Sequence, residues 1–154
     1  MLIGKVEFAQ VIMVRLFRTW SASRLAARDQ FRAMHAIVVP LGLPESTGPA
    51  CASLFELVEA HLGRPLMAEC CCSKNFSTDE RALIGVVSTA PQAGAVLGNE
   101  AIPHGLPASV CWAVAKVRDA LGLPPEVFHM QITSSHVSCP FDEQPSLGGA
   151  SHEL

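Results

Sequence analysis

Tyrosine is absent from the chain and only two of its 154 residues are tryptophan. The aromatic platforms on which single-stranded nucleic acids stack are therefore poorly supplied. Charge is scarce as well: 16% of the residues are charged, against about 25% in an ordinary globular domain. Hydrophobic residues reach 49%, which implies a large core or a face covered by a partner, and self-association is the expectation. No spacing in the chain supports a Ser-His-Asp or Cys-His-Asn constellation, so no catalytic residue is assigned. A clean signal-peptide pattern is also missing, because Arg15 interrupts the apolar stretch from Val11 to Phe17 and only Lys5 precedes it. The expected location is the cytoplasm. A spread disulfide framework is lacking too: three of the six cysteines are adjacent, which fits a reducing compartment better than a secreted scaffold.

The charge that is present is unevenly placed. Residues 1–32 hold Lys5, Arg15, Arg18, Arg24, Arg28 and Arg32 against Glu7 and Asp29, a net of +4 within a total of −3, so the remainder carries −7. Arg24, Arg28 and Arg32 recur every four residues, the pattern of a solvated helix stripe, and neither nucleic acid nor membrane is an expected partner. A chain of this length buries about two-thirds of its unfolded surface in one domain without needing a metal or disulfide. The expected organisation is one helical domain over residues 1–141 and a disordered tail over 142–154.

Hydrophobic periodicity predicts a mainly α fold, a compact bundle of five or six helices. Ile12, Met13, Leu16, Phe17 and Trp20 share one face of a first helix over about residues 5–20, which Ser21 and Ser23 are expected to end. Ala27, Phe31, Met34 and Val38 mark the inner face of a second. Leu41-Gly42-Leu43-Pro44 and Leu121-Gly122-Leu123-Pro124 repeat the same letters and read as glycine-capped helix stops. A third helix is predicted from Pro49 to His61, with Cys51 as a small core residue, and Ser77 with Glu80 has the capping-box spacing that starts a helix at Thr78.

Residues Ala82 to Asn99 are uncharged and contain Gly94-x-x-x-Gly98, but Pro91, Ser88, Thr89 and Gln92 favour short buried helices over a membrane span. Val110, Val114, Val117 and Leu121 define the last helix, with Cys111 at its edge. After it the pattern alternates, and a turn at Ser134-Ser135 would pair Ile132 with Val137 in a short C-terminal β-hairpin.

The chemistry concentrates at Cys70-Cys71-Cys72, on an aperiodic connector running from Arg64 to Asn75. Thiolates are soft donors that suit zinc or copper(I). If the connector is extended, Cys70 and Cys72 point to one side and Cys71 to the other. A closed zinc site needs about four ligands, and the only compact donor pair elsewhere is His136-x-x-Cys139. The candidate metal ligands are therefore Cys70, Cys71, Cys72, His136 and Cys139. Two other uses stay open: thiol redox chemistry by one of the three, or packing of cysteine as a small hydrophobe. His35 and His61, within or near helical apolar faces, read as hydrogen-bonded core or boundary residues, His104 as a loop residue, and Asp79-Glu80 as acidic complements to a helix start.

The triplet followed by Ser77-Thr78-Asp79-Glu80-Arg81-Ala82-Leu83 resembles an uncharacterised family of short α-proteobacterial proteins with a Cys-Cys-Cys run before a Thr-x-Asp/Glu helix start. The likeness covers about residues 16–90. Proline commonly borders the triplet in that family, whereas Glu69 precedes it and Ser73-Lys74 follow it here. The resemblance implies no activity. The leading expectation is a metal- or thiol-sensing protein, followed by a structural or regulatory interaction module with packed cysteines, and then by a thiol oxidoreductase.

Overall fold

In the computed structural model, residues 2–89, 108–123 and 141 are described. They form five α-helices: α1 (Leu2–Leu25), α2 (Gln30–Val38), α3 (Thr47–Leu62), α4 (Thr78–Thr89) and α5 (Ala108–Ala120), with a 3-10 turn at Val39–Leu41 after α2. No strand occurs among the described residues, and the mainly α expectation holds. The hairpin pairing predicted around Ser134-Ser135 lies outside them, apart from Phe141, which is buried. Among the described residues, no helix is long and apolar enough to cross a membrane.

α1 is the central element and packs on α2, α3 and α4, while α5 packs on α3 and α4. The predicted inner face of α1 is the core: Ile12, Met13, Leu16, Phe17 and Trp20 are all buried. Phe17, Trp20 and Phe55 of α3 form an aromatic cluster, with the Phe17 and Phe55 rings edge to face at 5.0 Å and Trp20 and Phe55 at 5.3 Å. Such arrangements let the positive ring edge meet the negative ring face. Val110, Val114 and Val117 of α5 complete the interior from the far side.

Ser21 and Ser23 do not end α1. Both are buried, and the helix runs on to Leu25, because tertiary packing outweighs the small helix penalty of serine. The stop comes at Ala27, whose φ of 52° is left-handed. Its N–H donates to the Arg24 carbonyl and that of Arg28 to the Ser23 carbonyl, a Schellman closure with alanine where glycine is usual. Ala27 therefore lies outside α2, which Asp29 caps by accepting from the Arg32 N–H at 3.1 Å. Phe31, expected inside, is 52% exposed, since it belongs to a first turn that the core does not cover; Met34 and Val38 are buried as expected.

The arginine stripe is likewise not one stripe, because the break at Ala27 separates Arg24 from Arg32. Arg24 lies 4.1 Å over the Trp20 ring and makes a two-pronged ion pair with Glu59 at 2.6 and 2.8 Å.

Both Leu-Gly-Leu-Pro stops behave as read. Gly42 and Gly122 have φ of 67° and 69°, and Leu43 and Leu123 donate back to the carbonyls of Val38 and Arg118. The repeated letters thus encode the same six-to-one closure twice.

Candidate cysteine site

The connector between α3 and α4 starts at Gly63, whose left-handed φ of 67° ends α3 and turns the chain toward α4. From there a chain of polar contacts fixes its course. Arg64 makes a two-pronged pair with Asp79, both bonds at 2.8 Å, and Asp79 Oδ2 also accepts from the Met67 N–H at 2.7 Å. Ser77 and Glu80 form the predicted capping box: each backbone N–H donates to the other's side chain at 3.0 Å. Ser77 Oγ in turn donates to the Met67 carbonyl at 2.6 Å.

Glu80 has a larger role than a helix cap. Its carboxylate is fully buried and pairs with Arg18 of α1, Nε to Oε1 at 2.8 Å and Nη2 to Oε2 at 2.9 Å. Oε1 also accepts from the Glu69 N–H at 3.0 Å. Arg18 spends its remaining donors on the connector, giving 2.8 Å bonds to the carbonyls of Ser73 and Asn75. The triplet is therefore clamped on both sides, by Glu80 before it and by Arg18 after it. Burial raises the Glu80 pKa, but the Arg18 guanidinium and the N–H groups of Glu69 and Ser77 outweigh it, and the net direction is down. Asp79 is also held below its ordinary value, chiefly by Arg64.

Between these clamps the backbone turns: the Ser73 N–H donates to the Cys70 carbonyl at 2.9 Å. This corrects the extended arrangement, in which Cys71 would point away. The turn gathers all three sulfurs within 4.8 Å of one another, all exposed, and the Cys70 and Cys72 sulfurs are in contact at 3.2 Å.

The Cys70 pKa is lowered, because hydrogen bonding from the Cys72 backbone, and then from the Cys72 and Cys71 side chains, would favour its thiolate. The Cys72 pKa is raised, since its proton serves that bond and its own thiolate would face the Cys70 charge. Cys71 also lines a groove of about 550 Å³ with Val11, Arg15, Ile37 and Phe76.

The other cysteines divide as follows. Cys51 and Cys111 are fully buried in the core, and burial pushes their thiols up to about 12 and about 11. Cys111 is thus interior and not at the helix edge. His136 and Cys139 lie outside the described residues. His35 and His61 are exposed. No sequence motif points to Arg18 or Arg64 as site residues; the one signal is that Arg18 directly follows Leu16 and Phe17 of the apolar face of α1.

Comparison of the chain with protein-family models, with curated proteins and with solved structures finds no match in any of the three.

Proposed function

We propose that the Cys70–Cys72 turn is a thiolate site for a soft metal ion, zinc or copper(I), and that the protein senses metal or thiol state. The observation that carries the reading is the convergence of three exposed sulfurs within 4.8 Å on a clamped turn. Thiolates bound to one zinc at about 2.3 Å lie about 3.8 Å apart, so little rearrangement is needed. The lowered Cys70 pKa supports it, because metals bind thiolate and not thiol. His136 and Cys139 are the proposed further ligands. The triplet's resemblance to the α-proteobacterial Cys-Cys-Cys proteins, which we take as a proposed relationship, singles out the same residues.

We further propose a cytoplasmic protein that associates with itself or another protein, since Phe8, Val11 and Trp112 expose large apolar side chains.

The test of the metal reading is metal analysis of protein purified without a histidine tag, with thiol labelling before and after chelation. One bound ion is expected per chain, protecting the triplet from labelling until a chelator is added. The double change Cys70→Ser with Cys72→Ser should abolish it, and Cys111→Ala should retain it. His136→Ala and Cys139→Ser should each weaken it. Failure to bind either metal at about micromolar concentration, with unchanged stability when all three cysteines are replaced by alanine, would reduce the triplet to surface residues.

A further inference from the structure

The Cys70 and Cys72 sulfurs touch at 3.2 Å across an exposed turn, and a disulfide needs them at about 2.05 Å. We infer that Cys70 and Cys72 are a redox dithiol that closes reversibly into a disulfide by exchange with a low-molecular-weight disulfide. The inference uses the same sulfurs as the proposed metal site but not the metal, so in metal-free protein it stands or falls separately.

Two features of the site support it. The sulfurs are solvent-facing, so an incoming disulfide can approach in line with the attacking sulfur. The flanking backbone is held by Arg18 and Glu80, which keeps the pair together and lowers the ordering cost of ring closure. Cys71 is the less suitable partner for either neighbour, because adjacent cysteines close only a small ring that strains the intervening peptide.

The step balances as follows. The thiolate of one of the two cysteines attacks one sulfur of R–S–S–R, forming a mixed disulfide and releasing RS⁻. The other cysteine then loses its proton to solvent or to that thiolate, and its sulfur attacks the sulfur of the first. The second RS⁻ leaves as the Cys70–Cys72 bond forms. Two electrons pass from the protein to the small disulfide, which departs as two thiols. Closure also withdraws two of the three thiolates from metal binding, so oxidation would empty the metal site.

The experiment takes metal-free, fully reduced protein, adds glutathione disulfide, quenches with acid at intervals, alkylates, and measures intact and peptide masses. Wild type should lose the mass of two hydrogens and carry no lasting adduct, while Cys51 and Cys111 stay reduced in the core. Cys72→Ser should accumulate a glutathione adduct on Cys70, and Cys70→Ser one on Cys72, because the resolving thiol is missing in each. Cys71→Ser should close its disulfide as wild type does. All three positions are exposed, so these variants keep the core intact. Wild type that accumulates a stable adduct, a disulfide that survives in Cys70→Ser, or one that disappears in Cys71→Ser would each overturn the assignment.

Discussion

At the scale of single residues, the interactions with most at stake are Arg18 with Glu80 and Arg64 with Asp79. Glu80 is fully buried and Arg18 nearly so, and a buried charge that loses its partner is costly. Arg18→Met should therefore destabilise the protein by about 3–5 kcal/mol, read as a lowered urea midpoint, and should also free the Ser73 and Asn75 carbonyls that order the cysteine turn. A loss below about 1 kcal/mol would show that the pair behaves as a surface ion pair.

The same carboxylates set an acid dependence. Glu80 and Asp79 both have folded pKa values below their unfolded ones. Their contribution is complete above the unfolded values, about 4.3 and 3.9, and is lost as pH falls through the folded values. Urea midpoints should hold from pH 7 to about 5 and fall steeply below about 4, less steeply in Glu80→Gln. An equal slope in that variant would assign the acid sensitivity to other groups.

At the scale of elements, the helix ends are the informative places. Three stops use glycine in the left-handed region, at Gly42, Gly63 and Gly122, and a fourth uses Ala27 at a φ of 52°. A Cβ costs about 1–2 kcal/mol in that conformation. Ala27 is exposed, so Ala27→Gly removes no packing and should raise stability by about 0.5–1 kcal/mol. Gly122→Val should do the reverse. No atom lies within 4 Å of the Cβ it would add, so backbone strain alone should cost about 1 kcal/mol or more. Thermal midpoints of the two variants moving in the same direction would contradict the shared Schellman reading. Ser21 and Ser23 make the complementary point: a local preference against helix loses where both side chains are packed.

At the scale of the whole molecule, α1 serves two purposes through two faces. One face carries Phe17 and Trp20 into the aromatic core, and Arg18 reaches the cysteine turn. A third aspect stays outside: Phe8 and Val11 are 44% and 62% exposed. An exposed apolar strip on the longest helix is the expected contact in the proposed association. Sedimentation at about micromolar concentration should show more than one copy per particle, and Val11→Asp should shift it toward the single chain. A strictly monomeric wild type would remove self-association and leave a different protein as the remaining partner.

Features that depend on neighbours within a few positions can be read from the amino-acid order alone. The apolar period of α1, the capping box at Ser77 and Glu80, the Gly122 stop and the core role of Cys51 were all legible, because each rests on a local spacing and a local backbone preference. The cysteine triplet was legible as a concentration of thiols, but its shape was not. Whether Cys71 points away from its neighbours or joins them depends on the turn, and the turn is held by Arg18, more than fifty residues earlier. The second role of Glu80 was hidden for the same reason: a capping glutamate and a buried ion-pair partner look alike in sequence. Only the packing of α1 against α4 brings Arg18 to it, and once the pair leaves water its loss becomes expensive enough to fix the connector.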